Sequence, residues 1–367
     1  MSAPRLLVLG AAAVQDDLIR TAQDHGLVVH CCAREDTGPG ARSADVFSEF
    51  SFLDAPRLRA YVEDNQIDAV YSTGSDIAMP AASEVSEALG LPHFVSSDSA
   101  RAMNNKGAMR SRLAGTPGHV WFAVTQGETP SDVPYPVIVK PVDSQGQRGV
   151  SLVREEAELA DAVAHACASS RTASAIVEEY LEGPELSVNG YAVPGREPLL
   201  VTSDRDTWPQ FTGLVKGHVM PPRAVDAATA QQAQETVAAA AAALGVDAGP
   251  FYAQVKATPR GPRIVEISPR LDGCHLWKLI RATHGVDFMT ALVRHLVWGV
   301  APNFSPASNG SRFSIDFTCV PPGEQAPEIA SADGHYVPYY RAGETVRPVN
   351  GRFEKIGYAI TGEGAHP

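Results

Sequence analysis

The residues with the clearest chemical use gather around one lysine. A strand-like run, Pro136-Val137-Ile138-Val139-Lys140, leads into the small polar loop Asp143-Ser144-Gln145-Gly146-Gln147-Arg148-Gly149. Alternation places Ile138 and Lys140 on one strand face and Val137 and Val139 on the other. Glycines let backbone N–H groups approach an anion without a Cβ in the way, and an adjacent ammonium supplies the charge that a phosphate attracts. No Gly-Lys-Ser/Thr opens a helix here, so this is not a Walker A loop, and the same residues also suit a plain surface turn. Lysine usage sharpens the reading: of 30 Lys plus Arg, six are lysines, Lys106, Lys140, Lys216, Lys256, Lys278 and Lys355. A chain that meets solvation mostly with arginine yet ends an apolar strand in lysine points to a need for a compact charge.

A second constellation lies in the segment 251–268. If Pro259-Arg260-Gly261 is a three-residue turn, Gln254 lies opposite Glu266. Ile264, Glu266, Ser268 and Arg270 then share one face, and Val265 and Ile267 the other. Hard oxygen donors on one face suit Mg²⁺ completed by substrate phosphates, and equally suit a solvated outer surface.

The elements that must position these groups begin with strand-helix alternation over residues 5–93: Leu6 to Leu9, a helix near Asp16 to His25, Val28-Val29, a helix near Arg57 to Asn65, Ala69 to Tyr71, and a helix near Ile77 to Leu89. This pattern predicts a parallel sheet with helices on both faces. The turn after the first strand has one glycine, Gly10, where a dinucleotide fingerprint has three, which argues against an NAD site. A polar helix is expected from Ser99 to Leu113, then the lysine strand and a helix from Glu155 to Ala168 with Leu159, Val163 and Cys167 on one stripe. An alanine-rich helix, 227–244, precedes the carboxylate hairpin. Strand-like segments at Phe313 to Val320, Tyr336 to Tyr340 and Lys355 to Ile360 predict a small sheet packed over the core.

The 367 residues, 44% apolar and 20% charged, suffice for two or three domains with a sizeable core. A formal charge of −12 argues against nucleic-acid or anionic-membrane surfaces, so any phosphate site is local. Five cysteines without a Cys-x-x-Cys spacing fit neither a disulfide framework nor a zinc knuckle, and a cytoplasmic location is expected. The early apolar run is too short for a signal sequence, and no stretch is long enough to span a membrane.

In order, an upstream lysine, a Val-Lys-Pro strand, a glycine loop, a Glu-Glu-x-Leu hinge with a later Glu, and a Glu-x-x-Pro-Arg hairpin resemble the ATP-grasp superfamily of carboxylate-amine ligases, over nearly all of residues 5–360. The resemblance implies an α/β protein: an N-terminal Rossmann-like parallel-sheet domain (1–93), a connecting helical segment (94–125), and an ATP-grasp fold of two α+β subdomains (126–183 and 184–300), followed by a strand-rich segment (301–367). ATP and one or two Mg²⁺ are the implied cofactors. The resemblance assigns Lys106 and Lys140 to the phosphates and Ser144, Gly146 and Gly149 to a loop closing over them. It assigns Glu178, Glu179 and Leu181 to the adenine hinge and Glu185 to the ribose. Glu266 falls on a magnesium ligand, with Gln254 and Ser268 where the family has Glu or Asp and Asn, so one formal charge is missing. Arg270 falls on the arginine that meets the substrate carboxylate or acyl phosphate. Gly273, His275 and Arg205 are expected near the substrate, although His275 equally suits a structural role, and Asp204-Arg205 a surface turn. A Cys274–His275 dyad is disfavoured because neighbours on an extended chain point apart.

The implied reaction joins a small-molecule carboxylate, an amino acid foremost, to an amine through an acyl phosphate, with Lys140, Glu266 and Arg270 as the catalytic group. The rivals are an ATP-dependent carboxylase, disfavoured by the lack of a biotin-carrier sequence such as Ala-Met-Lys-Met, and a nucleotide-binding regulator without turnover, motivated by Gln254 and Ser268. A homodimer is the family's expectation.

Overall fold

Four strands open the chain, β1 (Arg5–Leu9), β2 (Val28–Ala33), β3 (Val46–Glu49) and β4 (Ala69–Tyr71), all but β3 largely apolar and paired in parallel in the order β3-β2-β1-β4. The structure, a computed structural model, describes residues 2–143, 149–211, 213–307, 310–329, 336–349 and 352–362. Helices α1 (Ala13–Asp24), α2 (Pro39–Ser43), α3 (Ala55–Asp64) and α4 (Ala78–Leu89) flank this sheet. Alternate residues of β1 enter separate cores, Leu6 and Val8 one and Leu7 and Leu9 another, as a parallel sheet covered on both faces requires. After β1, Gly10 takes φ +97°, and the Gln15 side chain folds back to accept from the Ala12 N–H, occupying the turn.

The expected Ser99–Leu113 helix is two helices, α5 (Ser97–Asn104) and α6 (Lys106–Arg112). Asn105 breaks it, because its side chain leaves the helical course to accept from Ala108 N–H at 3.0 Å and cap α6. Lys106 thereby becomes the first residue of a helix, and its N–H donates to Val142 C=O at 3.1 Å, beside the start of the glycine loop.

A second sheet, antiparallel, contains β5 (Phe122–Thr125), β6 (Val137–Pro141), β7 (Ser151–Val153) and β8 (Ala175–Glu179) in the order β5-β8-β6-β7. Helix α7 (Glu156–Ala168) covers one face, where Val137, Val139, Val153, Leu159, Val163 and Val177 form a core with Cys167 at its margin.

The third sheet has eight antiparallel strands: β9 (Glu185–Ala192), β10 (Leu199–Thr207), β11 (Val215–Met220), β12 (Gly249–Thr258), β13 (Gly261–Ser268), β14 (Phe313–Val320), β15 (Tyr336–Pro338) and β16 (Glu354–Gly362). Their order is β13-β12-β9-β10-β11-β14-β16-β15. The last three strands do not form the separate small sheet expected. Strand β11 would otherwise expose an unpaired edge, and β14 takes it, with Gly217 opposite Asp316, so that the tail extends the main sheet. Helix α8 (Ala227–Ala243) packs on one face, and α9 (Leu276–His284) and α10 (Phe288–Trp298) share a core on the other with Leu6 and Leu18 of the N-terminal domain. Among the described residues no helix is long and apolar enough to cross a membrane.

Within this sheet Gly190 of β9 sits opposite Phe251 of β12, and a Cβ there would lie 2.3 Å from the Phe251 ring. Gly190→Ala should therefore cost about 1–3 kcal/mol of overpacking. Urea unfolding should show a lowered midpoint at unchanged slope; an unchanged midpoint would mean that the ring moves aside freely.

Candidate active site

Strand register brings the first charged group together. Lys140 pairs with Ile176 across β6 and β8, which puts Glu178, two residues on, on the lysine's face. Lys140 Nζ lies 2.6 Å from one Glu178 oxygen, and Arg110 Nε donates to the other at 2.8 Å. Arg110 was not singled out by the sequence. It is 2% exposed, and its remaining N–H groups donate to the carbonyls of Ile264 at 2.7 Å and Val265 at 3.1 Å on β13. Burial alone would raise the Glu178 pKa, but the two cations outweigh it and hold the carboxyl down to about 2. Lys106 lies within electrostatic reach of Lys140, Glu266, Glu178 and Asp76, and burial followed by the like charge of Lys140 lowers its pKa. Two ammonium groups held close at a desolvated position are an arrangement that an incoming phosphate relieves.

The hairpin is built differently from expectation. Thr258 pairs with Gly261, so the turn holds two residues, and a bulge between Gln254 and Val255 restores the Gln254–Glu266 pairing. The bulge also changes the faces: Ile264 joins Ile267 in the core instead of sharing the Glu266 side. Glu266 accepts a short hydrogen bond from Tyr252 OH, and Gln254 donates its amide to Glu185. This leaves Gln254 presenting an amide oxygen, and Glu266 a second carboxylate oxygen, as hard donors. Ser268 OH donates to Asp76 at 2.6 Å. Arg270 Nε donates to the same Asp76 oxygen at 2.7 Å, with its guanidinium 4.7 Å above the Tyr252 ring. Asp76 belongs to the loop after β4 and carried no local motif; nothing in the sequence marks a contact 194 residues away.

The other expected residues fall in three places. Glu178 and Glu179 end β8, and Leu181 lies in the connector to β9. Glu178 turns its carboxylate into the buried ion cluster, while Glu179 pairs with Arg260 and accepts from Trp121 N–H at 3.2 Å. Glu185 accepts from Arg205 at 2.6 Å and lies 3.2 Å from Lys256. Arg205 is a strand residue of β10, not part of a surface turn, and the neighbouring Asp204 is structural, accepting from Arg223 and Ala224 N–H. Gly149 takes φ +68°, and a Cβ there would meet Ser169 and Pro141. Ser144 and Gly146 lie outside the described residues.

Gly273 borders a cavity of about 570 Å³ together with Ala12, Arg34, Tyr339 and Lys355. His275 does not line it: its ring is buried between Asp17, 2.7 Å from Nδ1, and Tyr339 OH, 2.8 Å from Nε2, and stacks on Tyr358. Cys274 points elsewhere, toward Lys355 Nζ at 3.3 Å, so the two side chains form no dyad.

Residues 133–276 match the ATP-grasp domain family. The chain is 27% identical over 186 residues to the formate-dependent phosphoribosylglycinamide formyltransferase of Synechococcus sp. (strain CC9902), covering 48% of this chain and 47% of that protein. It is 26% identical over 333 residues to carnosine synthase 1 of Homo sapiens, covering 80% of this chain and 39% of the relative. It thus spans about half or less of the curated relatives it matches. The solved L-amino acid ligase of Bacillus licheniformis superposes with a TM-score of 0.76 at 17% identity, over 100% of this chain and 95% of that one, which shows a shared fold.

The Glu178 cluster sets an acid limb on stability. Its folded pKa lies below the unfolded value of about 4.5, so its contribution is full above that pH and is lost as pH falls toward 2. That loss is roughly 3 kcal/mol. Glu178→Gln should flatten this limb and, by leaving Arg110 and Lys140 without their counter-charge, cost about 3–5 kcal/mol at neutral pH. Denaturant midpoints from pH 2 to 7 measure both; an unchanged acid limb would mean that the cluster does not govern it.

Proposed function

We propose that this chain, whose residues 133–276 match the ATP-grasp domain family, is an ATP-dependent ligase joining a carboxylate, an amino acid foremost, to an amine with release of ADP and phosphate. The observation that carries the reading is the meeting of Lys106 and Lys140 with the Glu266–Gln254–Ser268 oxygen donors and the Asp76-held Arg270, supplied by four separate parts of the chain. The two lysines would hold the triphosphate and offset charge on the transferred phosphoryl group. The substrate carboxylate attacks the γ-phosphorus as the bond to ADP breaks, giving an acyl phosphate. Arg270, oriented by Asp76 and Tyr252, faces the acyl group. The amine then attacks the acyl carbon, the bond from that carbon to the phosphate oxygen breaks, and the amine nitrogen's proton passes to the departing phosphate. Glu266 would hold Mg²⁺, with the Gln254 amide oxygen and Ser268 hydroxyl as neutral neighbours, and the bound ion supplies Lewis-acid stabilisation of phosphate charge. This donor set suits one well-fixed ion. Glu179, Leu181 and the 181–184 connector would border adenine, and Glu185 the ribose. The cavity beside Gly273 is the proposed room for the amine. The amino-acid reading leans on two likenesses, to a carnosine synthase in sequence and to an L-amino acid ligase in fold.

The deciding experiment is ADP and phosphate release with Mg-ATP across amino acids, singly and in pairs, with and without bicarbonate. Release that needs a pair, with a condensed product by mass, supports the ligase. Release that follows bicarbonate would make the chain a carboxylase, and ATP binding without turnover in every arm would make it a nucleotide-binding regulator. The lowered Lys106 pKa adds a pH signature: the charged form holds phosphate, so ATP affinity should fall as pH rises through that pKa. Lys106→Met should weaken binding and flatten the slope; a slope unchanged in the variant would place the titrating group elsewhere.

A further inference from the structure

We propose a second metal site, beside the Glu266–Arg270 cluster and built from other residues, in which His218 of β11 and Asp272 and Cys274 of the segment between β13 and α9 hold a zinc-type divalent ion. Each offers one ligand atom, all lie within 4.8 Å of one another, and all three residues are buried. The trio is unique of its kind among the described residues.

The second observation is an orphaned nitrogen. His218 Nδ1 lies 2.9 Å from the Asp204 carbonyl, which makes Nδ1 the N–H donor and leaves the lone pair on Nε2. That Nε2 is buried with no hydrogen-bond partner. A buried, unsatisfied ring nitrogen costs stability, and a ring nitrogen oriented through its other N–H to a carbonyl is how metal-bound histidines are held.

The remaining contacts are compatible with coordination. One Asp272 oxygen accepts Cys274 N–H at 2.6 Å, which leaves the other oxygen for the ion. The Cys274 thiol would release its proton to solvent on binding, and the Lys355 ammonium 3.3 Å away would remain as an N–H···S donor to the thiolate. Arg205, the other nearby cation, shares Glu185 with Lys256, so Lys355 and Arg205 together are the charges that oppose the ion. Mixed imidazole, carboxylate and thiolate donors select zinc-type ions over Mg²⁺, and three protein ligands leave a fourth position open. An ion here would brace the segment that carries Gly273 and follows Arg270.

The test is cobalt(II) titration of the full chain after chelator treatment, with a non-thiol reductant present and circular dichroism on every variant. The expected result is one equivalent bound, with tetrahedral visible bands and a thiolate-to-cobalt charge-transfer band, displaced by Zn²⁺ and not by Mg²⁺. Cys274→Ser should abolish the charge-transfer band. His218→Ala, or Asp272→Asn if that variant does not fold, should weaken binding at least about tenfold. Lys355→Met should tighten it. Absence of saturable bands, bands unaltered in Cys274→Ser, or displacement by Mg²⁺ would overturn the site.

Discussion

The buried Arg110 guanidinium is the contact on which the candidate site depends. One side chain spans three elements: it leaves α6, pairs with Glu178 on β8, and donates to two consecutive β13 carbonyls. Neutralised by Glu178 and satisfied by backbone oxygens, it meets the conditions under which a charge is tolerated in a core. Lys106 stands four residues earlier on the same short helix, so both project from one face. Fixing Arg110 therefore aims Lys106, while Glu178 aims Lys140 from the other side. The small sheet, the connecting helices and the large sheet meet at this one ion cluster.

The β-bulge follows from the same contact. Arg110 binds the carbonyls of Ile264 and Val265, where the register shifts. With that extra residue absorbed, Ile264 and Ile267 both reach the core, Glu266 comes within electrostatic reach of Lys106, and Ser268 meets Asp76. Asp76 then closes the arrangement from the N-terminal domain by holding Ser268 and Arg270 together. The close approach of Gly74, whose N–H donates to Leu271 C=O at 3.2 Å, makes that reach a matter of backbone packing as well as charge.

Local pattern carried much of this into the sequence. Alternation in 136–140 placed Lys140 on its face, strand-helix alternation exposed the parallel sheet, and the Gln254–Glu266 pairing came from counting across a turn. The pairing holds although the turn is one residue tighter than the sequence implies, because a tighter turn and a bulge cancel in register while altering which side Ile264 takes. What the sequence hid depends on distance. Arg110 sits in an ordinary helix, Asp76 in an ordinary loop, and β11 offered no sign that a tail strand nearly 100 residues on would complete its edge. His275 resembled a pocket residue by position, yet its φ of +57° and its Asp17 and Tyr339 partners belong to the fold.

The most direct measurement is a crystal structure with Mg²⁺ and a non-hydrolysable ATP analogue. The triphosphate should lie between Lys106 and Lys140 on one side and a Glu266-bound ion on the other, with Arg110 and Glu178 paired as they are here. Nucleotide bound away from those lysines, or a metal held without Glu266, would contradict the account.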